Sequence, residues 1–275
     1  MIGRTSAWSD LRLFLGLTFL LSWGVGGLYL LTRANFVPLL GPLNQRSVVF
    51  LIINCAPSAA AMLTALIRGG PIGLLNLLGG LVRPFGWWWL PVSVLFVPLI
   101  ALALSYAAPI WWDPNWPVSP RQVLMMPAVM FTAAQIAFNI APFGEELGWR
   151  GYALPRFIEQ TGPIPAALAL GAIWVVWHIP GFFISGVMAP SFSLFGWWAL
   201  ATMALSLVMT FLFVRANGNV IVAGVIPHFV INAAANVGVW ESRPAECVAL
   251  AALALLLAAS LALSSFSADR ARVPQ

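Results

Sequence analysis

Ala141-Pro-Phe-Gly-Glu-Glu-Leu-Gly-Trp-Arg-Gly-Tyr-Ala-Leu-Pro-Arg-Phe157 sets adjacent carboxylates, Glu145 and Glu146, beside Arg150 in a chain whose charged residues are only 8% of the total. Long apolar segments flank the stretch on both sides, so these charges lie at or inside a membrane boundary. An ionised side chain leaving water there costs several kcal/mol, roughly, unless it finds a partner. On a helix Glu146 and Arg150 are i and i+4, acid before base, and share a face. Glu145 is turned about 100° away on the helical wheel. One carboxylate can hold the arginine while the other stays free for chemistry.

Composition agrees with a membrane protein. Of 275 residues, 61% are hydrophobic, and the mean hydropathy is +0.93, outside the range of a soluble domain. The net charge of +5 is carried by arginines spread one or two per loop, which is a topology signal and not a nucleic-acid patch. Every basic residue is an arginine. The absence of lysine excludes a Ser-Lys dyad or a Schiff base on this chain. Cys55 and Cys247 lie in or beside apolar segments and suggest neither a disulfide framework nor a thiol site.

Outward from the acidic stretch, the chain reads as an all-α, polytopic membrane helix bundle of about eight transmembrane helices, each near the 20 residues a bilayer needs. They are placed at Leu13–Leu31, Ser47–Ile67, Trp87–Ala107, Gln122–Ala141, Ile164–Ile184, Gly196–Val214, Asn219–Val237 and Cys247–Phe266. The first is too long for a signal peptide and has no small-residue cleavage site after it. Short loops make residues 1–275 a single membrane domain.

With eight spans both termini share a side. Arg4, Arg12, Arg68, Arg83, Arg150, Arg156, Arg215, Arg270 and Arg272 fall on it, against Arg33, Arg46, Arg121 and Arg243 opposite. The positive-inside rule then makes this a multi-pass protein of the cell membrane with both termini, and the Glu145 stretch, in the cytoplasm. Tryptophans at 87–89, 111–112 and 197–198 suit the membrane interface as lipid anchors.

Polar residues within spans fall into stripes. Gln135 and Asn139 are i and i+4 in the fourth helix and point across Pro142 towards Glu146. In the fifth, His178 shares a face with Trp174, and Pro180 removes a hydrogen bond and so frees a carbonyl nearby. In the seventh, His228, Asn232 and Asn236 form one stripe at four-residue spacing. A lone membrane histidine commonly serves as a hydrogen-bonding bridge between helices. Here both histidines of the chain lie in spans flanking the acidic stretch, and intramembrane ionisable groups mark function by default.

At these residues the chain resembles the CAAX prenyl protease and bacteriocin-processing family, also called Abi proteins, and is similar to its type II CAAX prenyl endopeptidases. The family's E-E-x-x-x-R matches Glu145, Glu146 and Arg150, continued by Gly151-Tyr152 and Leu154-Pro155-Arg156. An aromatic followed four residues later by histidine matches Trp174 and His178, with tryptophan where phenylalanine is commoner. H-x-x-x-N matches His228 and Asn232. Gln122 to Asn236 is the stretch that carries all three, the expected catalytic core at 122–236.

The resemblance implies an intramembrane endopeptidase of the glutamate type. Glu145 would be the general base, assisted by His178, and would activate a water. His228 and Asn232 would hold the tetrahedral oxyanion, and Glu146 with Arg150 would hold the helix that carries the base. A partly desolvated carboxylate has a raised proton affinity, which suits such a base. The implied partners are a peptide or protein substrate at the membrane and the lipid bilayer, with no nucleic acid. Motifs of zincins, rhomboid-type serine proteases and intramembrane aspartyl proteases are absent. Two histidines and two carboxylates could ligate zinc, but Arg150 would oppose a cation there, so the expectation is no metal and no cofactor. The alternatives are a membrane scaffold or bacteriocin-immunity protein that keeps the motifs without cleaving, and a transporter, for which no inverted repeat speaks.

One feature of the spacing strains these boundaries. Glu145 sits at the cytoplasmic end of the fourth helix, whereas His178 lies about 21 Å along the fifth. They meet only if the fifth helix starts outside the lipid or the acidic segment turns back inward, which would create a water-filled cavity open to the cytoplasm.

Overall fold

A computed structural model describes residues 4–44, 47–130, 141–184, 188 and 192–270. It is helical throughout, with 84% helix and no strand among the described residues. The chain opens with α1 (Arg4–Phe19), which runs through a π-helical stretch, Leu20–Gly24, into α2 (Val25–Leu31), followed by α3 (Arg33–Leu40). Next come α4 (Val48–Gly79), α5 (Trp89–Trp111) and α6 (Pro120–Met130). The acidic segment is α7 (Ala141–Glu146), a π-helical stretch at Leu147–Ala153, and α8 (Leu154–Thr161). Then follow α9 (Pro163–His178) with a 3-10 turn at Ile179–Phe183, α10 (Phe192–Arg215), a π-helical stretch at Ile221–Val225, α11 (Ile226–Asn236) and α12 (Pro244–Arg270).

Six of these helical segments are long and apolar enough to cross a membrane: Ala7–Leu31, Val48–Gly79, Trp89–Trp111, Pro163–Phe183, Leu194–Arg215 and Pro244–Ser264. The protein is therefore a multi-pass helical membrane protein. The expected seventh span is a shorter apolar helix, Ile221–Asn236. The expected fourth span reaches into 131–140, so Gln135 and Asn139 lie outside the described residues.

Local signals in the sequence set the helix ends. Ser47 Oγ accepts the Phe50 N–H at 3.2 Å and caps α4. Ser119 and Gln122 form a reciprocal cap on α6, with Gln122 Oε1 accepting from Ser119 N at 2.8 Å and Ser119 Oγ from Gln122 N at 3.3 Å, and Pro120 supplies a first residue that needs no N–H partner. Gly70, at φ 61, bends α4 just before Pro71.

The segment after Pro142 takes one of the two courses that the spacing allowed. Residues 141–161 form one helical arm that turns at Gly162 (φ 83), a backbone region open to glycine, and α9 returns antiparallel along α8. Counting back from that turn, Glu145 lies roughly 25 Å up one arm and Trp174 roughly 18 Å up the other. The axial mismatch between acid and histidine disappears because the acidic segment does turn back alongside the next helix.

Lipid tails are as apolar as leucine, so close packing must hold these helices together. The acidic arm lies on α4, α9 on α10, and α10 on α12. At Gly148 the backbones nearly touch: a Cβ there would stand 2.5 Å from the Pro57 carbonyl carbon and oxygen. Phe14 of α1 packs edge-on against Trp149 at 5.6 Å, and Trp149 against Trp177 at 5.8 Å, pairs worth about 0.5–1.5 kcal/mol each beyond their buried area. At one end of the bundle the turn after α10 is laced to the loop after α4. Val220 N donates to Gly80 O at 2.9 Å, and Asn219 Nδ2 donates to Arg83 O at 2.6 Å.

Candidate active site

The two adjacent acids are both withdrawn from solvent but are held differently. Glu146 and Arg150 are each 0% exposed, so neither charge can be tolerated alone. Glu146 Oε1 accepts from Arg150 Nη1 at 2.9 Å and from His228 Nδ1 at 2.8 Å. This arginine belongs to the interior, and the loop-arginine tally above must drop it. Its guanidinium also lies 4.3 Å from the centre of the Trp174 ring, a cation–π contact that helps a desolvated arginine.

Glu145, 2% exposed, has a different partner: its Oε2 accepts from Trp174 Nε1 at 2.9 Å. It lies outside the six long spans. Burial raises its carboxyl to about 7, with neighbouring Glu146 adding to the rise and His228, the Trp174 hydrogen bond and Arg150 opposing it. A carboxyl near that value can both take and return a proton at neutral pH.

Trp174 links the remaining parts. Its indole packs on His228 at 5.1 Å between ring centres, and its backbone carbonyl meets His178 Nδ1 at 2.8 Å. A carbonyl oxygen only accepts, so His178 donates from Nδ1 and keeps Nε2 as an acceptor. The same reasoning at Glu146 leaves His228 Nε2 for a reacting group. The imidazole of His178 is half-buried among Trp177 and Trp198, 4.7 and 5.0 Å away. The carbonyl that Pro180 was expected to free, that of Val176, instead accepts the Ile179 N–H in the 3-10 turn.

Glu145, Glu146, Arg150, Trp174, His178 and His228 are thus joined by one chain of contacts. Asn232 stands apart: it lies one turn beyond His228 on α11, half-buried, and no hydrogen bond joins it to the cluster among the described residues.

Two supports escaped the sequence reading. A Cβ on Gly224 would stand 3.0 Å from Glu146 Oε2, so only glycine lets the π-helical Ile221–Val225 stretch close over the acid. Ser58 of α4 donates to the Phe143 carbonyl at 3.1 Å and ties α7 down beside Glu145. The four-residue step from Gly144 to Gly148, a small-x-x-x-small pattern, was the available signal for the contact with α4. The three π-helical stretches among the described residues all border the site, in keeping with the frequency of π-bulges at functional positions. One contains Arg150, one contains Gly224, and Ser22 of the first accepts from Trp177 Nε1 at 2.9 Å.

Fold and site together define a multi-pass helical membrane protein with a buried glutamate–arginine–histidine centre. Residues 124–234 match the family described as Rce1-like, type II CAAX prenyl endopeptidase Rce1-like. The chain is also similar to the CAAX prenyl protease 2 of Methanococcus maripaludis, with 28% identity over 95 residues, 32% of this chain. The match spans 34% of that protein's length. The resemblance carried by the three motifs is therefore shown by the comparisons as well.

Proposed function

We propose that this protein is an intramembrane endopeptidase in which Glu145 activates water. The observation that carries this reading is the division of labour between adjacent acids: Glu146 Oε1 is shared by Arg150 and His228, whereas among the described residues Glu145 accepts a hydrogen bond only from the neutral Trp174 indole. The named activities of the family and of the archaeal relative supply the reaction class.

In this mechanism Glu145 removes a proton from a water as the water oxygen bonds to the peptide carbonyl carbon. The carbonyl electron pair moves onto oxygen. His228, anchored through Nδ1, presents Nε2 to that oxyanion when it carries a proton there, and Asn232 contributes from one turn further along α11. Each such donor is typically worth about 3–4 kcal/mol in the transition state. His178 Nε2 accepts a hydrogen bond from the water and orients it. The carbonyl then reforms, the C–N bond breaks, and Glu145 returns its proton to the departing amine. Arg150 and Glu146 fix the helix beneath the base.

No metal enters this scheme, because Glu146 Oε1 is already shared by a guanidinium and an imidazole, and the fixed Arg150 cation beside it opposes a divalent ion. Membrane peptides should be compared by proteomics between cells carrying the wild type and a Glu145→Ala variant, and the purified wild type should be assayed on the peptides that differ. New termini are expected only with the wild type, and cleavage is expected to survive exhaustive chelation. Activity lost with about one zinc per chain and restored with it would recast the acids and histidines as ligands.

The proposed orientation keeps both termini in the cytoplasm. With Arg150 removed from the tally, the arginine asymmetry still favours that side. Arg68 and Arg156 also converge on one residue, Asp10, at 3.3 and 3.6 Å. A reporter fused after Gln275 is expected to be active only when it works in the cytoplasm, and a fusion active only after export would invert the topology.

A further inference from the structure

A cavity of about 380 Å³ opens beside the catalytic cluster and shares none of its residues. Its walls are Val82, Phe85 and Leu90 on one side and Ile221 and Ile226 on the other, with Arg83 at the rim. The volume is in the range of small-ligand pockets, which are mostly apolar with a few placed polar groups. Val82 is 80% exposed and Phe85 37%, so the groove opens outward.

The polar end is cationic. Arg83 is exposed, and among the described residues its guanidinium has no carboxylate partner. It lies over the turn after α10, with Nη1 2.6 Å from where a Gly218 Cβ would stand. Arg215, three residues earlier, is also exposed, its guanidinium 5.5 Å from the centre of the Phe211 ring and outside the groove wall. The backbone of this corner is spoken for, since Arg83 O and Gly80 O accept from Asn219 and Val220. The Arg83 guanidinium is what it leaves available. Trp87 and Trp88, 75% and 54% exposed, flank the same loop and suit the headgroup level of a bilayer.

We propose that this groove is a binding site for one anionic phospholipid, its acyl chain against Val82, Phe85 and Ile226 and its phosphate on Arg83. Arginine's planar donor fork suits a phosphate, and an apolar slot ending in an exposed arginine, with tryptophans at headgroup level beside it, matches a lipid better than a soluble anion. The inner wall of the groove is the π-helical Ile221–Val225 stretch that sets Gly224 against Glu146, so an occupant braces the part of the fold that positions the second acid. That consequence rests on the peptidase reading; the binding does not.

The purified chain should be placed in bilayers of phosphatidylcholine alone, or of phosphatidylcholine doped with phosphatidylglycerol. Lipid kept after delipidation is then counted by native mass spectrometry. Phosphatidylglycerol is expected to be retained in preference to phosphatidylcholine. Arg83→Gln should lower that retention about fivefold, whereas Arg12→Gln, at an exposed arginine elsewhere, should not. Val82→Trp, at an exposed rim position that tolerates bulk, should lower it by filling the slot. Equal retention of both lipids, or equal retention by Arg83→Gln and the wild type, would overturn the proposal. Displacement by glycerol phosphate as readily as by intact lipid would overturn the acyl-chain half of it. Peptide cleavage measured in the same bilayers should rise severalfold with phosphatidylglycerol, and Arg83→Gln should abolish that rise. Retention without a rise removes the link to catalysis and leaves the binding site standing.

Discussion

Glu145→Gln is expected to lower the rate of peptide-bond hydrolysis about 10²–10⁴-fold, the usual contribution of a positioned general base. The substitution keeps shape and a hydrogen-bond acceptor, so Trp174 Nε1 can still donate to position 145 across its 2.9 Å contact and the fold should survive. Affinity for a peptide substrate should change little, which places the loss in kcat. The wild-type rate should also rise with pH through about 7, because Glu145 works as a base only when ionised and burial lifts its carboxyl to about that value. The sign is fixed by the group: an acid raised by burial is protonated and idle below its pKa and active above it. Rate profiles of wild type and variant in the same detergent test both statements. A variant within a few fold of wild type, unfolding at the same temperature, would remove Glu145 from the reaction and leave His178 as the base.

The bundle was legible because apolar length and loop charge are local properties. Segments such as Trp89–Trp111 and Leu194–Arg215 declare themselves by hydropathy alone, and Ser119 with Gln122 declares a helix start. The course of the acidic arm is not a local property. Pro142, Gly144, Gly148 and Pro155 interrupt a helical pattern, so spacing allows either a next helix that starts outside the lipid or an acidic segment that turns back inward, and does not choose between them. What makes 141–161 helical and buried is tertiary: α4 offers Pro57 to Gly148, and Glu146 Oε1 pairs with both Arg150 and His228. Spacing alone brings Glu146 within reach of Arg150. No spacing could announce that His228, far along the chain, shares the same oxygen, or that the aromatic before His178 is the donor to Glu145. The phenylalanine commoner at that position has no N–H to give. Trp174 therefore adds a hydrogen bond to Glu145, which a sequence comparison scores only as a mild departure.

The π-helical stretches bear on the same point. A wider turn displaces the helix face by part of a residue and leaves backbone groups less tightly matched, at some cost in stability. Here the stretch at Leu147–Ala153 carries Arg150 to Glu146, and the stretch at Ile221–Val225 carries Gly224 to the same acid from the opposite side. Helical i,i+4 spacing already serves the Arg150 contact, so it is at Ile221–Val225 that the altered turn bears on which face Gly224 presents to the acid. The fold accepts local irregularity to converge on one carboxylate, and the acid beside it is kept apart from that pairing.

Arg150→Ala is expected to destabilise the protein by roughly 3–5 kcal/mol, the usual loss when one partner of a fully buried ion pair is removed. Among the described residues Glu146, itself 0% exposed, would keep His228 Nδ1, at 2.8 Å, as its one hydrogen-bond partner. Trp174 would lose the guanidinium that packs on its ring at 4.3 Å, and with it part of the support for the donor to Glu145. The damage should therefore appear first as low expression and early unfolding and only secondarily as slow chemistry, the reverse of Glu145→Gln. Size and charge are separated by the double variant Arg150→Met with Glu146→Gln, which removes both charges and keeps most of the volume. It should recover much of the lost stability, because a neutral buried pair carries no desolvation debt. Thermal unfolding in one detergent, read as a double-mutant cycle, measures the coupling directly. If Arg150→Ala unfolds no earlier than Glu145→Gln, the arginine has no structural charge to balance, and the assignment of Glu146 as the holding acid and Glu145 as the working one must be exchanged.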